Sequence, residues 1–336
     1  MEITVLAIDL AKEVFQLHGT DAQGRAVLKK RLRRSELRVF VANLKPCIIG
    51  LEACGGSHYW AREFQKFAHE VRLISPQFVK PFVKSQKNDS NDAEAIAEAV
   101  IRPSMRFVPV KQEWQQDIQN IHRIRQRLVR SRTALGNEIR GLLSEYGIVL
   151  PRKISNLRKL LPSILETQSL SSLAQRSFGR LLQEMRDIEE KIAAHEKEIE
   201  EIFKASEMAR RIEKIPGVGV LTATALTGAV GDARAFKNGR QFAAWLGLVP
   251  RQNSSGGKTQ LLGISKRGDV YLRTLLIHGA RSALMRASRR TDRRSRWAVE
   301  LAKNRGFNRA TVALANKTAR IIWVLMARGE EYRLAA

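Results

Sequence analysis

The stretch ITVLAIDLAKEVFQLHGTD, residues 3–21, decides the fold prediction for this chain. Its two apolar runs, separated by a short polar segment, predict consecutive β-strands, and AVLKKRL at 26–32 predicts a third strand after a turn. The first run ends in Asp9, and a later apolar run, CIIGLE at 47–52, ends in Glu52. A carboxylate next to a core is costly unless it is paired, hydrogen-bonded or bound to a metal. Both acids are therefore candidate site residues.

The order of predicted elements up to residue 106 indicates an α/β domain. Helices are predicted at SELRVFVANL (35–44) and HYWAREFQKFAHE (58–70), and strands at CIIGLEA (47–53) and VRLISP (71–76). Three meandering strands followed by alternating helix and strand resemble the ribonuclease-H fold. In that fold one acid lies on the first strand and a second on the fourth, which matches the order found here.

A second pair of acids, Asp89 and Asp92, lies in KNDSNDAEAIAEA at 87–99, which predicts a helix. Residues three apart share a helix face. The ordinary interpretation is that Asp89 caps the helix and that Asp92 is a favourable first-turn charge. Together with Asp9 and Glu52, however, the pair would form a cluster of four carboxylates. Two carboxylates about 4 Å apart repel by roughly 4 kcal/mol at an effective dielectric of 20, so such a cluster needs cations.

All-oxygen ligands favour Mg²⁺ or Mn²⁺, and two such ions can clamp the attacking and leaving oxygens of a phosphodiester. Zinc is disfavoured, because the six histidines are scattered and are not spaced as ligands with Cys47 and Cys54. Two cysteines placed in this way also favour free thiols and a reducing cytoplasm.

Composition indicates a polyanionic partner. The 336 residues include 59 Lys and Arg against 33 Asp and Glu, a formal net charge of +26. A membrane partner is not expected, because the late apolar run IIWVLMA at 321–327 is far shorter than the roughly 20 residues of a span. The N-terminus has no basic segment before its apolar run, so no signal peptide is expected.

The middle of the chain, residues 107–205, is predicted to be helical with a 3.5-residue apolar repeat, which is typical of a coiled coil. The first run passes through Ile118, Ile121, Arg125, Leu128, Arg132, Leu135, Ile139 and Leu142, and the second through Phe178, Leu181, Met185, Ile188, Ile192, His195, Ile199 and Ile202. The first run is rich in Arg and the second in acid, which favours pairing as a hairpin or between chains. Arg125 and Arg132, at repeat positions, could instead face a phosphate backbone. A plain helical spacer is the alternative to the coiled coil.

The last part, residues 206–336, opens with EKIPGVGVLTATAL, the pattern of a helix-hairpin-helix. Gly217 and Gly219 would let backbone N–H groups approach a phosphate at a helix N-terminus. An ordinary interhelical turn is the alternative. Downstream, seven arginines in a 16-residue window face only Asp292, and we expect phosphate contact rather than a merely solvated face.

The segment GLVPRQNSSGGKTQ at 247–260 imitates a phosphate-binding P-loop, but it has Gln252 where that motif needs glycine, so an ATPase is rejected. Its composition predicts a flexible loop. A serine flanked by Arg251 and Lys258 in such a loop is also a candidate nucleophile towards a phosphodiester, because the cations favour the developing charge.

Six segments together resemble the DEDD transposases of bacterial insertion sequences, the IS110 family, and most closely its IS1111 branch. They are AIDLAKEVFQLHG, IIGLEACGGSHYW, ISPQFVKPFVKSQKNDSNDAEAIAEA, IPGVGVLTATAL, QFAAWLGLVPRQNSSGGK and GISKRGDVYLRTLLIHGAR. The resemblance implies a RuvC-like nuclease domain (1–106), a coiled-coil domain (107–205) and a mainly helical C-terminal transposase domain (206–336). It assigns the acidic quartet to Asp9, Glu52, Asp89 and Asp92, and the serine nucleophile to Ser255, with Ser254 as the neighbouring alternative.

The resemblance further implies donor and target DNA as substrates, an element-encoded guide RNA, and a homo-oligomer, either a dimer or a tetramer in the synapse. It implies a cytoplasmic, nucleoid-associated recombinase that excises and inserts a mobile element. The residues expected to bind nucleic acid are Arg123, Arg125, Arg127, Arg130, Arg132, Gly217, Gly219, Arg251, Lys258, Lys266, Arg267, Arg286, Arg289, Arg290, Arg293 and Arg294.

Three other classes of protein remain open on sequence alone. A RuvC-like junction resolvase or nuclease would use the same four acids with water as nucleophile. A sugar-kinase or actin-like fold also opens with a strand ending in Asp, but it should carry glycine-rich phosphate loops. An architectural nucleic-acid binder would tolerate loss of all four acids.

Overall fold

The computed structural model describes residues 2–84, 88–167 and 170–333. The chain divides into two units, Met1–Glu113 and Trp114–Ala336. A mixed six-stranded sheet lies in the first unit. Its strands are β1 (Val5–Asp9), β2 (Val14–Thr20), β3 (Ala26–Arg33), β4 (Ile48–Glu52), β5 (Glu70–Ile74) and β6 (Phe107–Val108).

The strand order is β3-β2-β1-β4-β5-β6. The first three strands form an antiparallel meander, β1, β4 and β5 run parallel, and β6 is antiparallel to β5. The predicted meander and the predicted alternation of helix and strand are both present. This mixed sheet is consistent with the ribonuclease-H-like domain expected from the sequence. The two-residue β6 was not predicted, because so short a strand has no periodicity to detect.

Helices cover both faces of the sheet. The described helices of the first unit are α1 (Arg34–Ala42), α2 (Ser57–Gln65), α3 (Pro76–Val79) and α4 (Asp89–Val100). Because side chains alternate along a strand, Leu6 and Ile8 of β1 pack into the core that contains α1 and α2, whereas Val5 and Ala7 pack into the core that contains α4. The next residue on the α4 face of β1 is Asp9.

The second unit is mainly helical. Its helices are α5 (Glu113–Ser144, which begins at the last residue of the first unit), α6 (Ile154–Thr167), α7 (Ser172–Ala205), α8 (Glu207–Glu213), α9 (Val220–Ala229), α10 (Gly239–Trp245), α11 (Val270–Met285), α12 (Arg293–Arg305) and α13 (Phe307–Arg328), and its two strands are β7 (Pro250–Ser255) and β8 (Lys258–Ile264).

The long helices α5 and α7 pair in antiparallel orientation within one chain. Arg125 of α5 forms an ion pair with Glu196 of α7, and Arg132 of α5 lies 4.0 Å from Glu189 of α7. Because the later residue of α5 pairs with the earlier residue of α7, the two helices run in opposite directions. Leucines and isoleucines of both helices share one hydrophobic cluster with α6. The prediction that Leu142 lies at an apolar repeat position is wrong, because its side chain is exposed and Leu143 is buried instead. A straight helix drifts relative to a strict 3.5-residue repeat, which accounts for the slip of one residue.

Helix α13 is much longer than the apolar run 321–327 suggested. It has 22 residues, and an 18-residue window within it has a mean hydropathy of 1.2, so by length and composition it is long and apolar enough to cross a membrane. Half of that window is buried inside the second unit, where Leu314 and Ile322 contribute to the main core. This is the packing expected of a core helix.

Candidate active site

Acidic side chains lie at one edge of the first unit, where strands β1 and β4 end and helix α4 begins. Asp9 and Glu52 end the adjacent parallel strands β1 and β4, whose paired residues Ile8 and Leu51 precede them. Both acids fall on the α4 face of the sheet by the alternation of side chains. Two carboxylates therefore lie at the carboxyl ends of neighbouring strands, below the start of α4.

Helix α4 packs against β4 at Gly50, which has no side chain. A Cβ at this position would lie 3.1 Å from Ile96 and 3.1 Å from Val100. A side chain here would crowd Ile96 and Val100, which would have to shift by a few tenths of an ångström. Gly50 thus helps to set the height at which the first turn of α4 meets the strand ends.

The first turn of α4 supplies the other two acids. The cap is Asn88, whose side chain accepts a hydrogen bond from the Ser90 backbone N–H, so the interpretation of Asp89 as the cap is wrong. Asp89 is exposed and Asp92 is half-buried. Because the cap is already provided, neither carboxylate is needed for it. Negative charge in the first turn is favoured by the helix dipole, which partly offsets their repulsion.

The structure brings three of the four predicted acids into one group. One carboxylate oxygen each from Asp9, Asp89 and Asp92 lies within 4.8 Å of the others. Glu52 lies outside that group but is electrostatically coupled to it. Burial raises the pKa of the Glu52 carboxyl, and the negative charge of Asp92 raises it further. In the described ranges, no Lys or Arg forms an ion pair with Asp89 or Asp92.

This donor set fits a hard divalent cation. Carboxylate oxygens are the ligands that Mg²⁺ and Mn²⁺ prefer, and three oxygens this close repel one another unless positive charge lies between them. The exposed position of Asp89 leaves the group open to solvent and to a substrate. The arrangement can therefore hold a cation against a phosphate.

The second unit carries Ser255 on a β-hairpin, so the prediction of a flexible loop was wrong. Strands β7 and β8 pair antiparallel, with Ser255 opposite Lys258 and Ser254 opposite Thr259. The two-residue turn between them is Gly256–Gly257, with φ of +56° and +76°. Two central residues with positive φ favour a tight hairpin turn that matches the strand twist, and Gly-Gly is one of its sequence signals.

The two serines of the hairpin differ in their hydrogen bonding. Ser254 Oγ accepts a hydrogen bond of 2.8 Å from the Gln252 side chain, whereas the Ser255 hydroxyl has no partner among the described residues. Lys258 lies directly across the ladder from Ser255. The register therefore places an ammonium group beside the serine that the family resemblance singles out.

The base of the hairpin is fixed by close backbone contacts. Gly247 and Gly268 have φ of +74° and +90°; a Cβ on Gly247 would lie 2.1 Å from the Arg267 carbonyl oxygen, and one on Gly268 2.0 Å from that of Trp245. The buried Arg273 donates to the carbonyls of Leu246 and Arg267, at 3.3 Å each. An exposed hairpin thus rises from a tightly packed base.

We expect Gly268→Ala to destabilise the second unit by about 2 kcal/mol or more, because a positive φ and a backbone clash both act at this position. Thermal unfolding measures the effect. Gly263→Ala in β8 is the matched control, since a Cβ there meets nothing within 4 Å. Equal melting temperatures for the two variants would contradict a rigid hairpin base.

A buried polar network in the second unit was not predicted from the sequence. His122 of α5 places Nε2 3.0 Å from Thr224 Oγ1 and Nδ1 3.0 Å from the Tyr271 hydroxyl. The Thr224 hydroxyl donates to the Val220 carbonyl, so it accepts from Nε2–H. A neutral histidine satisfies all these groups. Burial, assisted by the charge of Arg125, lowers the pKa of His122 to about 4.

Stability should therefore fall in acid. Between pH 6.5 and about 4 the unfolded chain binds a proton at His122 that the folded chain does not, so folding is most favoured above pH 6.5 and loses up to about 3 kcal/mol on acidification. Urea unfolding at pH 7 and pH 4.5 measures the loss. His122→Gln should reduce the difference between the two pH values, and an unchanged difference would refute a neutral buried His122.

The remaining basic candidates are distributed over the second unit. Arg123, Arg127 and Arg130 are exposed on α5, whereas Arg125 and Arg132 face the acids of α7. Gly217 lies in the turn before α9, and Gly219 is the residue that caps that helix. The others lie on the hairpin and its base (Arg251, Lys258, Lys266, Arg267) and between the end of α11 and the start of α12 (Arg286, Arg289, Arg290, Arg293, Arg294).

Two family models match parts of this chain. A family model for the DEDD transposases of IS110 matches residues 6–148, which contain the whole acidic group. A second model, described as "Transposase IS116/IS110/IS902 family", matches residues 209–296, which contain the glycine turn and the serine hairpin.

Relatives that match nearly the whole of this chain are also named as transposases. The chain is 49% identical to a protein of Pseudomonas aeruginosa named "Probable family 20 transposase", over 99% of both chains. It is 50% identical to the "Transposase for insertion sequence element IS1111A" of Coxiella burnetii, over 100% of this chain and 93% of that protein. It is 42% identical to the "Transposase for insertion sequence element IS1328" of Yersinia enterocolitica, over 97% of this chain and 98% of that protein.

The family models and the named relatives together define the class of this protein, a DNA-processing enzyme of the transposase class. The chain belongs to the IS116/IS110/IS902 family of transposases. It is an enzyme that cleaves and rejoins DNA strands.

Proposed function

We propose that this transposase excises and inserts an insertion sequence by using a metal-holding acidic group and a serine nucleophile. The observation that carries the proposal is the convergence of Asp9, Asp89 and Asp92 within 4.8 Å from two separate elements of the first unit. Such a group is costly without a cation, and the basic chain supplies the attraction to DNA.

Asp9, Asp89 and Asp92 would hold Mg²⁺ or Mn²⁺, and Glu52 would complete the set as the family resemblance implies. A bound divalent ion polarises the phosphoryl oxygens and stabilises the charge that develops on them. The protein's own contribution is to hold the oxygens in place before substrate arrives. The close approach at Gly50 and the Asn88 cap both serve that end.

Ser255 is the proposed nucleophile. Its oxygen forms a bond to phosphorus while the phosphorus–oxygen bond to one side of the DNA strand breaks. The serine hydroxyl loses its proton, and the departing strand oxygen takes one up, so a strand with a free hydroxyl is released. Rejoining reverses these steps with a different strand end. Lys258 and Arg251 favour the approach of the charged phosphate.

The proposal extends to the partners. An element-encoded guide RNA pairing with donor and target DNA, a dimer that becomes a tetramer in the synapse, and membership of the IS1111 branch are all implied by the resemblance. The 50% identity to the IS1111A transposase supports the branch. We also propose that α5 and α7 act as a coiled-coil arm and that the turn before α9 acts as a helix-hairpin-helix. Sequencing the nucleic acid that co-purifies with the protein tests the RNA; only heterogeneous fragments would contradict it.

One alternative is supported by a specific observation. The acidic group is built entirely from the first unit, so a nuclease that uses water would need no serine hairpin. Incubating the protein with DNA carrying the element end and Mg²⁺, followed by denaturing electrophoresis, separates the two. A covalent protein–DNA adduct supports the serine, whereas cleavage without any adduct supports water.

A further inference from the structure

A cavity of about 560 Å³ in the second unit joins two sequence motifs that lie far apart in the chain. The glycine turn at 216–219 and the first residues of α9 form one wall. The end of α11 and the start of α12 form another, and Arg286, Arg290 and Arg294 line it. Neither motif alone indicated that the two would share a cavity. Residues of the serine hairpin, 250–264, do not line it.

Contact between two glycines brings the walls together. Gly217 has φ of +90°, and a Cβ there would lie 2.5 Å from the carbonyl oxygen of Gly279 in α11. A Cβ on Gly279 would lie 1.8 Å from the Gly217 carbonyl oxygen. Only a pair of glycines allows this approach. The start of α9 is therefore held directly against α11.

The arginines of the cavity outnumber the acids near them. Among the described residues, no carboxylate lies within ion-pair distance of Arg286, Arg290 or Arg294. The one nearby acid, Asp292, caps α12 by accepting hydrogen bonds from the Ser295 backbone and hydroxyl. Three guanidinium groups thus line one cavity, and the Asp292 charge, which interacts with Arg290 and Arg294, balances at most one of them.

Arg294 has a different role from the other two. Its guanidinium group donates hydrogen bonds to the Pro216 carbonyl at 3.3 Å and to the Thr318 hydroxyl, so it helps to hold the glycine turn in place. Arg286 and Arg290 are exposed. Their guanidinium groups are free to turn towards a ligand, whereas Arg294 fixes the wall against which the ligand would lie.

The turn presents backbone donors to the same space. Val220, Leu221 and Thr222 open α9 and line the cavity, and the N–H groups of a first helical turn have no acceptor within the helix. Gly219 precedes them and has no side chain that could satisfy them. Donors from the backbone and an excess of arginines over acids together match an anion with several acceptor oxygens.

We propose that this cavity binds a backbone phosphate of nucleic acid, with Arg286 and Arg290 as the contacting cations and Arg294 as a positioning residue. The proposal rests on the proposed function only for the identity of the ligand as nucleic acid. It adds an anchoring site in the second unit that is separate from the serine hairpin.

The test compares two double variants with the same loss of charge. Arg286→Ala with Arg290→Ala removes cations that line the cavity, whereas Arg289→Ala with Arg293→Ala removes exposed cations of the same segment that do not. Binding to a fluorescein-labelled DNA duplex and to a single-stranded RNA is followed by anisotropy between 50 and 200 mM KCl.

We expect the cavity variant to bind about tenfold more weakly and to lose about one unit of salt slope, as for one neutralised phosphate. The control variant should lose clearly less. If the cavity variant loses affinity for the DNA duplex, the bound phosphate belongs to DNA; if it loses affinity for the RNA, the phosphate belongs to RNA. Equal losses for both double variants, on DNA and on RNA, would overturn the proposal in favour of diffuse attraction.

A second variant separates binding from folding. Gly219 has φ of −110° and open space around its Cβ, so a side chain fits there. Asp is a favoured cap and should keep α9 folded, but its carboxylate occupies the backbone donors and repels phosphate. Gly219→Asp should melt no lower than the parent and bind as weakly as the cavity variant, with Gly219→Asn weakened less. Unchanged binding by Gly219→Asp would overturn the proposal, and neither result depends on strand cleavage.

Discussion

Ser255→Ala is expected to abolish the covalent protein–DNA adduct and to lower recombination by about 10⁴-fold or more, the scale of loss when a nucleophile is removed. The serine hydroxyl contributes no hydrogen bond to the hairpin among the described residues, so the change should leave the fold and the DNA affinity intact. The adduct is measured on denaturing gels with DNA that contains one element end.

Ser254→Ala is the matched control for this experiment. It lies one residue earlier on the same strand, and its hydroxyl is held by Gln252 at 2.8 Å. We expect it to retain the adduct and most of the recombination activity. If the adduct survives in Ser255→Ala but disappears in Ser254→Ala, the nucleophile is Ser254. If both variants form the adduct, neither serine is the nucleophile.

Asp92→Asn is expected to lower strand cleavage by about 10³-fold or more at fixed Mg²⁺, because transition-state stabilisation by a bound divalent ion is worth several kcal/mol. The amide keeps the size of the side chain but removes a charge from the group that contains Asp9 and Asp89. The measurement is the single-turnover rate of cleavage of DNA carrying the element end.

Glu98→Gln is the corresponding control in the same helix. Glu98 lies near the other end of α4 and pairs with Arg102 at 2.8 Å, so its loss should cost little. Cleavage by Asp92→Asn at the parental rate would show that the acidic group has no part in the chemistry. Equal losses in both variants would indicate a general effect of charge on α4.

The sequence predicted the first unit well because its signals are local. The apolar runs of β1 and β4 were recognisable in the sequence, and each ends in one of the predicted acids, Asp9 or Glu52. The cap of α4 was misassigned by one residue, since Asn88 and Asp89 are both good capping residues and only the backbone decides between them. Gly50 was not predicted, because its importance comes from contact with Ile96 and Val100.

The second unit was less predictable because its sites depend on long-range contacts. The serine segment was assigned to a loop on composition, although its Gly256–Gly257 pair is a known hairpin signal. His122 was passed over because its partners, Thr224 and Tyr271, come from two other helices. The glycine turn and the arginines were each identified, but nothing in the sequence showed that Gly217 contacts Gly279.

The most direct test of the acidic group is its affinity for Mn²⁺, measured by electron paramagnetic resonance in the presence of DNA carrying the element end. Three proteins are compared, the parent, Asp92→Asn and Glu98→Gln. Convergence of Asp9, Asp89 and Asp92 predicts saturable binding by the parent and by Glu98→Gln, and binding at least about tenfold weaker in Asp92→Asn, because one charged ligand is lost. Equal Mn²⁺ affinity in all three proteins would contradict the assignment of these acids as the metal site.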